Sequence, residues 1–203
     1  MRSPMPNVLV VSYYTMDSAY EDGALTRLAP SLDALGLAYE LRGIRDRGTW
    51  MQNGSYKADF LRDMAAKHPA RVLLWVDADA EVCRLPYFLA DFRADIGVCI
   101  IDWARRPYSP MRGRELLAGT IAIRPGQRTT AFLDEWVTCL DREGRDRFND
   151  QEILTGILPE WHKHGAIVPA MLPESYCTIF DLMADEPAPV VLHHQQSREA
   201  AAH

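Results

Sequence analysis

Two acidic residues, Asp77 and Asp79, directly follow the most apolar segment of the sequence, Val72–Val76. Side chains two positions apart in an extended chain point the same way, so both carboxylates converge where this strand ends. Carboxylates that close repel each other unless a cation lies between them, and oxygen ligands favour Mg²⁺ or Mn²⁺ over zinc. The alternative is a strand end that carries two solvated acids by chance, because a D-x-D pattern is common.

Two further groups of polar or small residues have a spacing that suits binding. Asn149 precedes Asp150, Gln151 and Glu152 at the start of a helical pattern. This cluster is either a set of binding side chains or an N-cap followed by acids that favour the helix dipole. Gly119-Thr120 lies within a strand pattern, where a glycine often marks the close approach of a ligand or of another backbone segment.

A third group lies near the end of the sequence, where His193 and His194 follow the apolar run 189–192. A neutral imidazole is a good Mn²⁺ ligand, so His193 is the candidate metal ligand, with His194 as the alternative. Arg198 follows shortly after, and a guanidinium group pairs well with a diphosphate. The other interpretation of this segment is a frayed tail.

The elements that must position these residues alternate between strand and helix patterns. The patterns predict an α/β fold with a mostly parallel central sheet flanked by helices. Ligands bind such sheets outside the carboxyl ends of the central strands, which is where Asp77 follows its strand. Strands are predicted over 7–15, 37–45, 71–78, 95–102, 115–124, 167–172 and 189–193, and helices over 24–35, 55–68 (with Ser55 as N-cap), 129–142 and 149–164.

Composition limits the class of protein. The sequence has 203 residues, 48% of them hydrophobic and 25% charged, with a net charge of −6. These values predict one globular domain over 1–203 and exclude intrinsic disorder and a globally basic nucleic-acid binder. The absence of a long apolar run leads us to expect a cytoplasmic protein without a membrane span. The four cysteines form no C-x-x-C pair and are predicted to be reduced, core-packed thiols rather than a disulfide frame or a zinc site.

Taken together and in this order, these segments resemble the nucleotide-sugar-dependent glycosyltransferases of the GT-A fold. The resemblance runs from Asn7 to Arg198. It implies a single GT-A-like domain, with a nucleotide-binding half at about 7–103 and an acceptor and sugar half at about 104–198. It also implies a UDP-sugar as donor and Mn²⁺ or Mg²⁺ as cofactor. The tail Gly-x-Lys-Pro of some retaining members is replaced here by residues 195–198.

The resemblance assigns roles to the candidate residues by their place in the order of motifs. The implied nucleotide-sugar ligands are Ser12, Tyr13, Tyr14, Thr15, Lys57, Asp77, Gly119, Thr120 and Arg198; the metal ligands are Asp77, Asp79 and His193; the catalytic pair that faces the transferred sugar is Asp150 and Gln151.

The segment 104–115 suggests a property of the acceptor. It contains four arginines and one acid, a local charge of +3 in a protein of net charge −6. Guanidinium groups suit phosphate oxygens, so Trp103, Arg105 and Arg106 are predicted to bind an anionic acceptor, with Trp103 and Tyr108 available for stacking. Phosphorylated glycan or lipid precursors and hydroxymethylated bases of DNA are the acceptors considered. The alternative is a solvated loop whose arginines pair with surface acids.

Three other functions compete with a glycosyltransferase. Haloacid-dehalogenase phosphohydrolases also place D-x-D after an apolar strand, but Glu81 occupies the position where they have threonine. Nucleotidyltransferases that make nucleotide-sugars need a glycine-rich basic loop after the first strand, whereas the turn 16–23 has three acids and no Lys or Arg. A non-catalytic nucleotide-sugar-binding module remains, and turnover of a donor would separate it from an enzyme.

Overall fold

A computed structural model describes residues 3–106 and 109–195 and contains a six-stranded central sheet. Its order is β2-β1-β3-β6-β5-β7, and only β6 runs antiparallel to its neighbours. The predicted α/β architecture with a mostly parallel sheet is therefore confirmed. The strands are β1 Val8–Thr15, β2 Tyr39–Ile44, β3 Val72–Val76, β4 Ala80–Val82, β5 Ile96–Asp102, β6 Arg114–Ile123, β7 Pro169–Met171, β8 Thr178–Ile179 and β9 Val191–His193.

Helices cover both faces of this sheet, which explains the continuous apolar run of β3. Leu73 and Trp75 belong to one hydrophobic cluster, whereas Leu74 and Val76 belong to the cluster on the opposite face. A strand that is buried on both faces has no need for polar alternation. The helices are α1 Ala19–Gly23, α2 Ala29–Ala34, α3 Trp50–Ser55, α4 Lys57–Lys67, α5 Gln127–Glu143 and α6 Asp150–Lys163; a π-helical segment, Ala24–Leu28, joins α1 to α2.

The predicted helix 55–68 begins differently from the expectation. The structure forms a separate helix α3 before it, capped by a reciprocal pair of bonds between Thr49 and Gln52. Ser55 is the last residue of α3, and its hydroxyl donates to the Gln52 carbonyl at 3.2 Å. Tyr56 keeps helical dihedral angles between α3 and α4. Ser55 as an N-cap was therefore wrong, because the chain is already helical there.

A second, three-stranded sheet brings the end of the described chain back to the D-x-D segment. Its order is β4-β9-β8, and β9 pairs with β4 in antiparallel register, with Ala80 opposite His193. Strands of two or three residues, such as β4 and β8, carry too few side chains for a recognisable period, and the sequence did not predict them. This small sheet fixes His193 beside the residues that follow β3.

The strand β6 contains a bulge. Val98 of β5 pairs with Ile121, but the next residue, Cys99, pairs with Leu117. The three residues 118–120 therefore have no partner in β5, although Thr120 still pairs with Val76 of β3. A bulge bends the strand and redirects side chains, and bulges are frequent next to functional sites.

The cysteines and the lengths of the helices test two further expectations from the sequence. Cys99, Cys139 and Cys177 are buried free thiols as expected, whereas Cys83 is exposed, so the prediction that it packs in the core was wrong. Across the described part of the chain, no helix is both long enough and apolar enough to cross a membrane.

Candidate active site

A cleft of about 560 Å³ opens where β1 and β3 end. This volume lies within the range of small-molecule sites. Ser12 and Thr120 are fully buried behind its wall, and Arg198 lies outside the described residues. Of the residues that the sequence predicted, those that line the cleft are Tyr13, Tyr14, Thr15, Lys57, Asp77, Asp79, Gly119, Asp150, Gln151 and His193.

Three side chains at this cleft form a candidate divalent-metal site. Potential ligand atoms of Asp77, Asp79 and His193 all lie within 4.8 Å of one another. The end of β3 supplies the two carboxylates, and β9 supplies the imidazole, whose Nε2 lies 2.9 Å from the Thr120 hydroxyl. A Cβ on Gly119 would lie 2.8 Å from His193 Cε1 and 3.3 Å from Asp77 Oδ2, so the glycine is required for this approach.

Lys57 links the metal cluster to the start of α6. Its buried ammonium lies 2.7 Å from Asp150 Oδ2 and 3.1 Å from Asp77 Oδ1, and it donates to the Ala118 carbonyl at 2.9 Å. Burial alone would lower the pKa of Lys57, but the Asp150 and Asp77 carboxylates raise it above its ordinary value. Lys57 is therefore a protonated bridge between two carboxylates, while the Trp75 indole donates to Asp77 Oδ1 at 2.9 Å.

The electrostatics of the cleft favour a bound cation. Burial raises the pKa of the Asp150 carboxyl, and the neighbouring Lys57 ammonium opposes that shift. Burial would lower the pKa of His193, but Cys177 and the carboxylates of Asp77 and Asp79 raise it to about 9. Three carboxylates thus face the Lys57 ammonium and a protonated His193, which leaves one negative charge in excess, and a metal ion held by His193 would replace the imidazole proton. An oxygen-rich donor set with one imidazole and surplus negative charge fits Mn²⁺ or Mg²⁺.

The bulge of β6 is held by polar contacts from three sides. The Ala118 N–H donates to Gln151 Oε1 at 3.0 Å, and the Asp77 N–H donates to the Gly119 carbonyl at 3.0 Å. Together with the contact from Lys57 to the Ala118 carbonyl, these bonds connect the bulge to β3, α4 and α6. His193 and Asp77 pack closely against the backbone at Gly119, which explains why β6 has the small residues Ala118 and Gly119 there.

Solved structures with a similar fold include three glycosyltransferases. The enzyme involved in glycosylation of the major capsid of PBCV-1 has a TM-score of 0.70 at 12% identity, covering 97% of this chain and 96% of its own. The galactosyltransferase LgtC, solved with donor and acceptor sugar analogs, has a TM-score of 0.55 at 12% identity, with 92% and 87% covered. This chain has a glycosyltransferase fold. No model of a protein family and no curated protein matches its sequence.

A third glycosyltransferase, GlyE of Streptococcus pneumoniae TIGR4, matches over part of its length only. The TM-score is 0.52 at 14% identity, and the match covers 92% of this chain but 54% of GlyE. The present chain therefore spans about half of GlyE, and the likeness concerns the fold.

Two of the three residues predicted to bind an acceptor occupy a different environment in this glycosyltransferase fold. Trp103 is 1% exposed, and its indole donates to Glu115 Oε2 at 2.6 Å, so it offers no face for stacking. The Arg106 side chain is 9% exposed and forms ion pairs with Glu174, with Asp185 at 2.9 Å and with Glu186 at 3.7 Å. The prediction that Trp103 and Arg106 bind an acceptor was therefore wrong, because both side chains are buried and bonded to other residues of the protein.

Arg105 is the member of that trio that faces solvent. Its side chain is 82% exposed, and its guanidinium lies 3.5 Å from the Asp102 carboxylate. Tyr108, which was expected to stack beside Trp103, lies outside the described residues. Arg105 therefore keeps its predicted role as a proposal.

Several cleft residues were not predicted from the sequence. The Trp50 indole donates to the Tyr20 hydroxyl at 3.2 Å at the rim, and Asp46 Oδ1 accepts from Asn53 at 2.8 Å. The threonine and glutamine three positions apart that cap α3 are a recognisable capping-box pattern and could have revealed this helix. Cys177, which also lines the cleft, follows no pattern that separates it from a core cysteine.

Proposed function

We propose that the protein is a metal-dependent glycosyltransferase that moves a sugar from a nucleoside diphosphate sugar to a hydroxyl acceptor. The supporting observation is that Asp77, Asp79 and His193 converge in one cleft with the Lys57–Asp150 pair. These groups come from four separate elements and meet at the carboxyl edge of the sheet, where ligands of open α/β sheets bind.

The side chains suggest a division of labour. Asp77, Asp79 and His193 would hold Mn²⁺ or Mg²⁺, which when bound neutralises the charge of a diphosphate leaving group. Lys57 keeps Asp77 and Asp150 in fixed positions, 3.1 and 2.7 Å from its ammonium. Asp150 presents a carboxylate to the transferred sugar, either to position its hydroxyls or to stabilise positive charge at the anomeric carbon. Gln151 was expected to face the transferred sugar beside Asp150, but both ends of its amide are bonded, to the Ala118 N–H and to Glu115, so its proposed role is to support the bulge that carries Gly119.

The donor is proposed to be a UDP-sugar, with the nucleotide held by the end of β1 and the tyrosines there. Tyr14 and Thr15 line the cleft beside the D-x-D segment, and Ser12 supports them from the core. Arg198 is retained as a proposed diphosphate ligand. The likeness in fold to LgtC, which was solved with analogs of both substrates, supports a cleft in which donor and acceptor meet.

The acceptor is proposed to carry negative charge. The loop between β5 and β6 leaves the sheet at the edge where β3 ends, because β5 runs in the same direction as β3. Arg105 and Arg112 are exposed on it, and Arg114 is exposed at the first position of β6. A hydroxymethylated base in DNA is one such acceptor, and it would have to be flipped out of the duplex to reach the sugar. Phosphorylated glycan or lipid precursors also carry phosphate groups and hydroxyl acceptors.

A panel of nucleotide-sugars with Mn²⁺ tests the proposal, first by thermal shift and then by release of the nucleoside diphosphate. A donor at 100 times its Kd adds about 2.7 kcal/mol, which raises Tm by about 5–10 °C in a protein of this size. We expect that stabilisation to disappear with a chelator and in the Asp79→Asn variant. Binding without turnover would favour the non-catalytic module. Metal-dependent phosphatase activity without sugar transfer would favour the haloacid-dehalogenase reaction, which the fold does not favour.

A further inference from the structure

Glu115, the second residue of β6, is a carboxylate held by two neutral donors. Its Oε1 accepts from Gln151 Nε2 at 2.9 Å, and its Oε2 accepts from the Trp103 indole at 2.6 Å. Over the ranges 3–106 and 109–195, no lysine, arginine or histidine forms an ion pair with it. Glu115 lies between α6 and the start of the loop 103–113, called here the arginine-rich loop, and the roles given above do not explain this place.

The direction of each hydrogen bond around Glu115 is determined by its neighbours. The bulge leaves the Ala118 N–H without a partner in β5, so Gln151 Oε1 must accept from it at 3.0 Å. The other end of the Gln151 amide is then an NH₂ group, which needs an acceptor. An indole N–H can only donate. Position 115 must therefore present an acceptor at both of its terminal atoms, and only a carboxylate does so.

We propose that Glu115 is a positioning residue that fixes the first turn of α6 against the β6 bulge and ties both to the base of the arginine-rich loop. It acts through Gln151, which accepts a hydrogen bond from the Ala118 N–H. The neighbouring Asp150 pairs with Lys57, and Lys57 donates to the Ala118 carbonyl, so both contacts converge on the bulge. As a role in turnover, this inference rests on the proposed function. A displacement of about 1 Å in such a constellation lowers turnover by about 10²-fold.

The isosteric substitution Glu115→Gln separates this role from charge and size. One terminal atom of the new carboxamide becomes an NH₂ group, which opposes either Gln151 Nε2 or the Trp103 indole. We expect kcat to fall roughly 10- to 30-fold, the Kd of a nucleoside diphosphate with Mn²⁺ to change less than 2-fold, and the enzyme to remain folded, because only hydrogen bonds at the edge of the site change. Glu160→Gln, an exposed glutamate on α6, is the matched control and should behave as the parent.

A second substitution rescues the first if the donor conflict is its cause. Trp103→Phe removes the indole N–H, so the new carboxamide can turn its NH₂ toward a ring without a donor and accept from Gln151 with its oxygen. The double variant Trp103→Phe/Glu115→Gln should therefore recover a large part of the kcat lost in Glu115→Gln. We expect it to be less stable than either of the two single variants. A purely structural role predicts the opposite order, because losing packing and a hydrogen bond together would lower activity further.

A spectroscopic measurement distinguishes failure of this inference from failure of the proposed function. The indole N–H of Trp103 and the side-chain amide of Gln151 are observed by ¹⁵N NMR, and Trp103→Phe assigns the indole signal. Glu115→Gln should shift both signals and accelerate exchange of the indole proton, whereas Glu160→Gln should shift neither. If the parent enzyme turns over a donor and Glu115→Gln keeps its kcat, the inference is overturned. If the parent shows no turnover, the proposed function fails, and unchanged signals in Glu115→Gln then overturn the network as well.

Discussion

The cleft and the arginine-rich loop lie at the same edge of the sheet, but the positions of their side chains were predicted correctly from the sequence mainly in the cleft. Asp77, Asp79 and His193 meet as expected, whereas Trp103 is in the core and Arg106 pairs with acids. Asp77 and Asp79 lie at the carboxyl edge of the central sheet because they follow β3, and His193 reaches them through the pairing of β9 with β4 directly after that strand. Whether a loop arginine is free depends on acids about 70 residues further along the chain, such as Glu174.

The largest difference between the two regions should appear when a metal ligand is removed. Asp79→Asn and His193→Ala each take one donor from a set within 4.8 Å, and we expect kcat to fall by about 10³-fold. Titration calorimetry should show that Mn²⁺ no longer strengthens nucleoside diphosphate binding. His194→Ala is the control, because His194 contacts Glu81 at 3.2 Å instead. Equal loss in His194→Ala would move the imidazole ligand to that position.

Removing the charge of Asp150 should affect turnover more than donor binding. Asp150→Asn leaves Lys57 with Asp77 as its carboxylate partner, at 3.1 Å. We expect kcat to fall by about 10²-fold while the Kd of a nucleoside diphosphate stays within about 3-fold, because an interaction made in the transition state is lost. A large loss of diphosphate binding, measured by calorimetry, would instead assign Asp150 to the donor phosphate or metal site.

The main strands beside the cleft were predictable because they carry apolar patterns, whereas β4 and β8 are too short for one. The five-residue apolar run of β3 and the apolar segment 95–102 indicated the sheet, and D-x-D after β3 indicated the site. The bulge at 118–120 was not predictable. A bulge depends on how two strands that are distant in sequence pair, and Gly119 alone indicates only a close approach.

The glycine in that bulge offers a test of how closely the cleft is fitted. In Gly119→Ala the new methyl group would lie 2.8 Å from His193 Cε1, so the imidazole must move. We expect kcat to fall by roughly 30-fold and the dependence on Mn²⁺ concentration to shift to higher values, since the ligand geometry changes. Gly156→Ala, where an added Cβ meets nothing within 4 Å, is the matched control. Unchanged Mn²⁺ dependence in Gly119→Ala would separate His193 from the metal.

The role of each loop arginine could not be read from composition. Arg105 and Arg106 are adjacent and identical in type, yet their side chains are 82% and 9% exposed. The local charge of +3 counts both equally. Burial of one of them requires the acids of the segment 174–186 to pack against the loop, and that long-range contact leaves no periodic signal in the sequence.

A pair of alanine variants separates the two arginines by stability. Arg106→Ala leaves Glu174, Asp185 and Glu186 without their shared cation. We expect a loss of about 1.4 kcal/mol, a value below that of a fully buried pair because the acids are partly solvated. This corresponds to a Tm lower by about 4 °C in a protein of this length. Arg105→Ala should leave Tm unchanged in the same calorimetric scan. Equal Tm values for both variants would contradict the ion-pair role of Arg106.

The smallest expected effect tests what remains of the predicted acceptor surface. Arg105→Ala removes one exposed cation 3.5 Å from Asp102, and we expect the KM of an anionic acceptor to rise about 3-fold at low salt, with donor hydrolysis unchanged. The ratio of the two KM values should approach one as salt increases, because phosphate contacts are screened and exchange with counterions. Arg93→Ala is the matched control, since Arg93 is 87% exposed and precedes β5 at the opposite edge of the sheet. A neutral acceptor should be insensitive to both substitutions. If Arg105→Ala and Arg93→Ala give the same acceptor KM at low salt, the loop is a solvated surface and the acceptor must be recognised inside the cleft itself.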